Sequence, residues 1–145
     1  MPTSRPATCC RRSSRSRLLA EGIAEAPDNA SPLEAVAAGL ERAASAMGPM
    51  SREFVPRLKA AVAASAGLQE RHALKSVGLA ATMTAALVAR GAPDPAAALA
   101  SELCVLAFKR GFAAWSEGGR VAGDDLARYT LAALDELRAA TASLG

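Results

Sequence analysis

The chain has 145 residues, which is enough for one compact domain with a core of its own. Apolar residues make up 51% of it and aromatic residues only 3%, a balance that favours helices and disfavours strands, which are usually rich in aromatic side chains. The net charge is +3, but residues 1–17 hold five arginines and no acid, so residues 18–145 carry −2 and lack the basic surface of a nucleic-acid-binding domain.

The first segment, residues 1–17, is predicted to be a disordered basic tail because it is rich in Arg and Ser. It resembles a transit peptide in composition, but no apolar segment follows it. Cys9 and Cys10 are adjacent and Cys104 is remote, so the cysteines form neither a zinc motif nor a disulfide framework. This cysteine usage fits a reducing cytoplasm.

Residues 18–25 are predicted to form a short helix or the end of a longer one, which the turn at Pro27 closes. A clear start signal follows, with Ser31 as the cap, Pro32 at the first helical position and Glu34 three residues after the cap. The apolar spacing then continues to Met47, where glycine and proline end the helix.

Ser51 begins the next predicted helix, and Gly67 either ends it or marks a tight corner. A further helix runs from Leu68 to the basic last turn and glycine stop at Arg90 and Gly91. The cap and proline at residues 94–95 start another, which ends at residues 118–119, and the last helix begins at residues 123–125. With short connections and no strand pattern, the sequence predicts an all-α bundle of about five helices.

No catalytic constellation is found, and we expect neither an enzyme nor a cofactor nor a metal site. His72 is the only histidine; a pair with Cys104 is conceivable, but a solvated or packing role is favoured. Asp124 and Asp125 are better interpreted as helix-capping acids than as a catalytic pair. No stretch has the 18 or more apolar residues of a membrane span.

Residues 18–143 resemble the C-terminal domain of TetR-family transcriptional regulators, in particular regulators of the mycofactocin-system type. The most specific part is the segment AALASELCVLAFKRGFAAW at residues 97–115, followed by a Gly-rich break and a helix that begins Asp-Leu at 125–126 and ends Leu-Arg at 137–138. Residues 57–62 with 66–71, and residues 31–36, are similar to other parts of the domain. The resemblance implies an effector-sensing and dimerisation domain in the cytoplasm, a homodimer and a small apolar effector.

Members of this family carry a helix-turn-helix module before these helices, and residues 1–17 have no apolar periodicity that would build one. The expectation is therefore that this chain binds DNA only through a module that it lacks, and that residues 1–17 are a mis-started or frame-shifted remnant. Domain boundaries are accordingly expected at 1–17 and 18–145.

The resemblance places an apolar ligand pocket among the middle helices, although ordinary core packing predicts the same spacing. The pocket candidates are Phe54, Leu58, Leu74, Val77, Met83, Leu87 and Phe108. It also assigns dimerisation to the last two helices, whereas a monomeric bundle would bury the same side chains internally. The interface candidates are Leu103, Leu106, Phe112, Trp115, Leu126, Tyr129, Ala133, Leu134 and Leu137.

Two other functions stay open. One is a helical interaction or scaffold protein without a ligand, which docks a partner through the surface around Phe112 and Trp115. The other is a short partner that forms heterodimers with a full-length regulator.

Overall fold

A computed structural model describes residues 7–46, 54–117 and 126–145, with side chains described from residues 15 and 56 onward in the first two ranges. The prediction of an all-α bundle is confirmed for these residues. They form six helices rather than about five: α1 (Ala7–Glu25), α2 (Pro32–Ala46), α3 (Phe54–Ala64), α4 (Ala66–Ala89), α5 (Asp94–Glu117) and α6 (Leu126–Ala142).

The first helix is a long one, so residues 18–25 form the end of a longer helix, which is the second of the two alternatives predicted for them. It begins at Ala7 and so includes most of the segment expected to be a disordered tail. Arginine is a good helix former, and a helix that already exists grows without a new nucleation step. The packed end of α1, where Leu19 and Ile23 are buried, provides that nucleus. The expected boundary at residues 17 and 18 therefore falls inside a helix.

The predicted start of α2 is confirmed in its hydrogen bonds. The backbone N–H of Ser31 donates to Glu34 Oε2 at 2.7 Å, and the backbone N–H of Glu34 donates to Ser31 Oγ at 3.2 Å. These two bonds satisfy two amides that the helix itself cannot pair. Hydrogen bonding of the Glu34 carboxylate to the backbone N–H of Ser31, and to the Ser31 hydroxyl, lowers the pKa of the Glu34 carboxyl.

The break between α3 and α4 lies slightly earlier than predicted. Ser65 caps α4, its Oγ accepting from the N–H of Leu68 at 3.3 Å, so Gly67 lies inside α4 instead of ending α3. The end of α4 agrees with the prediction, because Arg90 is the cap and Gly91 has a φ of +94°. The predicted signals at residues 47–51, 118–119 and 123–125 lie outside the described residues.

The core is built around α2 and α5. Helix α2 packs against α1, α5 and α6, while α5 packs against α4 and α6. Two crossings are very close: a Cβ at Gly22 would lie 2.5 Å from Gly39 Cα, and a Cβ at Gly111 would lie 2.5 Å from Thr130 Cα. Glycine is therefore required where α1 crosses α2 and where α5 crosses α6.

Helix α4 joins the core with only its second half. Its buried residues are Ala80, Met83 and Leu87, whereas residues 66–78 are exposed apart from the half-buried Ser76. Helix α3, which packs against α4, is also largely exposed. Among the described residues, α4 is the one helix long and apolar enough to cross a membrane, and this is weak evidence because it rests on length and composition.

Candidate effector and dimerisation surfaces

The predicted pocket residues divide into a buried and an exposed group. Met83 and Leu87 are each 1% exposed and lie in the main core, and Phe108 packs against that core while half-buried. Leu58, Leu74 and Val77 do not join them. They are 46%, 64% and 66% exposed, respectively. The side chain of Phe54 lies outside the described residues.

This division has a simple physical reason. Helical spacing shows that Leu74 and Val77 share a broad apolar side with other residues of α4, but it does not show how much of that side has a neighbouring helix. The bundle covers α4 only from Leu79 onward. As described, the chain therefore does not assemble the predicted pocket from all of its candidate residues.

Most of the predicted dimer-interface residues pack within their own chain. Trp115, Leu126, Ala133 and Leu134 are each 4–6% exposed. The half-buried candidates are Leu103, Phe112, Tyr129 and Leu137. Leu106 is 44% exposed and is the one member of the set that counts as exposed. The internal packing of these residues is what a monomeric bundle also requires.

Three aromatic residues of α5 form a continuous row. The rings of Phe108 and Phe112 have centroids 6.1 Å apart, and those of Phe112 and Trp115 are 5.7 Å apart. These distances lie in the range of favourable aromatic pairs. Trp115 packs with Ala44 and Leu126, so the row joins α5 to α2 and α6 instead of forming an open docking surface.

A buried polar bridge joins α4 to α5. The hydroxyl of Ser101, which is fully buried, donates to the carbonyl of Ala97 at 2.8 Å and lies 3.0 Å from Thr84 Oγ1, which donates to it. Because a buried hydroxyl without a partner would be costly, this bridge fixes the register of the two helices. Nothing in the sequence pattern singles out these two residues.

Arg90 joins the end of α4 to the end of α1. Its Nη1 donates to the carbonyls of Ile23 at 3.0 Å, Ala24 at 3.2 Å and Ala26 at 2.8 Å, and its Nη2 donates to Pro27 at 2.6 Å. The last carbonyls of a helix lack hydrogen-bond partners within the helix and carry partial negative charge. A guanidinium supplies both the missing N–H donors and a compensating positive charge. Sequence reasoning assigned Arg90 to the last turn of its own helix and missed this contact.

The described residues provide little for covalent or metal chemistry. Cys104 is 2% exposed, and burial raises the pKa of its thiol to about 12, so the thiol stays protonated at neutral pH. His72 is exposed in the first half of α4, away from the core that holds Cys104. No group of three or more His, Cys, Asp or Glu side chains in this part of the chain is arranged to hold a metal ion.

Comparison with known proteins does not assign the chain to a family: no family model matches it, and no curated protein matches it.

Proposed function

We propose that this chain is the effector-sensing and dimerisation domain of a TetR-type transcriptional regulator, acts in the cytoplasm, relies on a module other than these helices to bind DNA, and has no catalytic activity. The supporting sequence observation is the resemblance of residues 18–143. The structural observation that carries the proposal is the all-α bundle of the described residues, which is the fold class that the resemblance implies.

The exposed apolar residues of α3 and α4 support an effector site. Leu58 lies on α3, and Leu74 and Val77 lie on the first half of α4, which the core does not cover. Lys59 Nζ donates to Ser116 Oγ at 3.3 Å, which links α3 to the end of α5. An apolar effector bound beside α3 would cover side chains that now face solvent. That burial supplies the driving force for binding.

Thermal unfolding in the presence of apolar compounds tests this function. We would screen medium-chain fatty acids, steroids and aromatic alcohols; a compound at 100 times its Kd adds about 2.7 kcal/mol to the free energy of unfolding. For a domain of this size, that corresponds to a rise in Tm of about 8 °C. Leu58→Glu should remove the rise, whereas Leu144→Glu, at a position 85% exposed near the C-terminus, should keep it.

The alternative is a helical interaction or scaffold protein without a ligand. The observation that favours it is the exposure of Leu58, Leu74 and Val77, which a partner protein could cover as well as an effector. Failure of every compound to raise Tm, together with a stable complex with another protein, would favour the scaffold over the sensor.

A further inference from the structure

Residues 54–78, which comprise α3 and the first half of α4, form a cationic part of the chain that we call the α3–α4 segment. It holds four exposed cations and one exposed acid, a net charge of +3, whereas residues 18–145 together carry −2. The rest of residues 18–145 therefore carries −5. An anionic surface would attract the α3–α4 segment and repel that remainder. The cations are Arg57, Lys59, Arg71 and Lys75, and the acid is Glu70.

An exposed apolar row begins within this segment and continues along α4. It lies on the side of the helix away from the buried Ala80, Met83 and Leu87, and its members recur every three or four positions. At about 1.5 Å per residue the row is about 21 Å long. We call it the outer row, and it consists of Leu74, Val77, Gly78, Ala81, Ala85 and Val88.

The outer row is free of charge, and cations border its start. Residues 76–89 contain no charged side chain. Arg71 precedes Leu74 by three positions and Lys75 precedes Gly78 by three, so both cations lie beside the row on the helix surface. Apolar area next to cations is the combination that holds helices on anionic membranes, where burial and attraction to acidic lipids act together.

The open geometry of the outer row favours a bilayer over other occupants. Leu74 and Val77, on the outside of a single helix, are 64% and 66% exposed. A small-molecule site usually encloses most of its ligand, whereas a membrane surface needs only one open side. Two copies of the α3–α4 segment would repel each other because each carries +3.

Helix α4 is long and apolar enough to cross a membrane, but its packing ties it to the bundle. Met83 and Leu87 are each 1% exposed and lie in the core, and Thr84 donates to Ser101 of α5. Crossing a bilayer would break these contacts. Contact through the outer row would leave all of them in place.

We propose that the α3–α4 segment and the outer row dock this chain on an anionic lipid bilayer, with α4 lying along the membrane surface. Arg71 and Lys75 contact acidic headgroups, while Leu74 and Val77 enter the boundary between headgroups and acyl chains. This docking goes beyond the proposed function, which concerns a dissolved effector and dimerisation, and it does not depend on either.

Vesicle flotation at about 0.1 M salt tests the docking. The vesicles are phosphatidylcholine alone, or equal parts of phosphatidylcholine and phosphatidylglycerol. The background protein below should bind the anionic vesicles at least tenfold more tightly than the neutral ones. Residues 1–17 would attract acidic lipids by themselves, so every measurement uses the background Arg5→Gln/Arg11→Gln/Arg12→Gln/Arg15→Gln.

Arg71→Gln/Lys75→Gln should weaken binding to the anionic vesicles about 25-fold, because each cation close to such a surface contributes about fivefold. The matched control is Lys109→Gln/Arg110→Gln, which removes the same charge from two exposed positions on α5 and should stay within about threefold. All four positions are exposed, so the fold should stay intact, which circular dichroism checks.

Leu74→Gln tests the apolar part of the surface. It should weaken binding about fivefold, because less apolar area leaves water. Leu144→Gln, at a position 85% exposed near the C-terminus, removes the same side chain elsewhere and should leave binding unchanged.

A polarity-sensitive dye gives a second measurement of which surface meets the lipid. In a Cys9→Ser/Cys10→Ser background, a dye on Val77→Cys should shift its emission to the blue on anionic vesicles. A dye on Ala132→Cys, exposed on α6, should not. Cys104 is 2% exposed and should stay unlabelled.

The proposal is overturned if the background protein fails to bind anionic vesicles, binds neutral ones equally well, or responds alike to the changes on α4 and on α5. A rise in Tm with an apolar compound, together with failed flotation, would leave the sensor standing and remove the docking. Flotation that depends on Arg71 and Lys75, with no compound raising Tm, would remove the sensor and leave the docking standing.

Discussion

Single atoms decide how closely the helices of this bundle approach. Gly111 lies where α5 crosses α6, and a Cβ there would be 2.5 Å from Thr130 Cα and 2.7 Å from Thr130 N. Both neighbours are backbone atoms, so no side-chain rotation can relieve the clash. Thr130 is fully buried and its hydroxyl donates to the carbonyl of Ala127 at 2.9 Å, so its side chain is also held in place.

Gly111→Ala is therefore expected to destabilise the protein even though alanine is the better helix former. Separating α5 from α6 should lower the free energy of unfolding by about 1–3 kcal/mol, as overpacking in cores does. Urea unfolding followed by circular dichroism measures the change.

Gly78→Ala is the matched control, because nothing lies within 4 Å of the position that a Cβ would occupy there. In this exposed helix interior the substitution should raise the free energy of unfolding by about 1 kcal/mol, the usual difference in helix propensity. Equal effects of the two substitutions would mean that α5 and α6 do not cross as closely as described.

At the scale of elements, the ends of helices are held by contacts both within and between them. The Ser31–Glu34 pair caps α2 locally, whereas the end of α1 depends on Arg90 from the end of α4. Arg42 adds an ion pair from α2 to Glu25, and a second to Glu21 at 3.8 Å, near the same end of α1. These exposed ion pairs contribute little alone, so Arg90 is the main polar connection at this corner.

Replacing Arg90 should loosen the end of α1 without unfolding the bundle. Arg90→Met keeps most of the apolar stem but removes the guanidinium donors from the carbonyls of Ala26 and Pro27, of which Pro27 still accepts from the N–H of Ala30. We expect a loss of about 2 kcal/mol in the free energy of unfolding. Arg90→Lys should restore only part of it, since an ammonium cannot reproduce the fork of donors.

Residue-resolved hydrogen exchange tests this prediction. Faster amide exchange in Arg90→Met should be confined to the last turn of α1 and the turn that follows it. Arg71→Met, at an exposed position on the same helix, is the control and should stay within about 0.5 kcal/mol of the wild type. Uniformly faster exchange throughout the bundle would contradict a local role for Arg90.

Sequence reasoning succeeded where the deciding contact is local. The cap of α2 at Ser31 and the end of α4 at Gly91 follow from residues within one turn of each other, and both are observed. It did not separate the buried Met83 from the exposed Val77, because both are apolar residues of one helix and only the position of neighbouring helices distinguishes them. The reach of Arg90 to α1, across 63–67 positions of sequence, has no local signal at all.

At the scale of the whole molecule, charge is distributed unevenly along the chain. The five arginines of residues 1–17 offset a net charge of −2 in residues 18–145, so the overall value of +3 conceals a mildly acidic body. Association of such a chain with DNA would depend on the arginines and on the release of counterions from phosphates. It would fall steeply with salt and would not depend on base sequence.

We therefore expect this chain to bind DNA only in a salt-sensitive and sequence-independent manner. In gel-shift experiments, any complex formed at about 50 mM salt should be lost at about 200 mM, and unrelated duplexes should compete equally well. Changing Arg5, Arg11, Arg12 and Arg15 to glutamine should abolish the low-salt complex, whereas changing Arg57 and Arg71, which are exposed in α3 and α4, should not. A complex that survives at the higher salt and prefers one duplex would show that the helices themselves read base sequence, and would count against an effector domain that depends on a separate DNA-binding module.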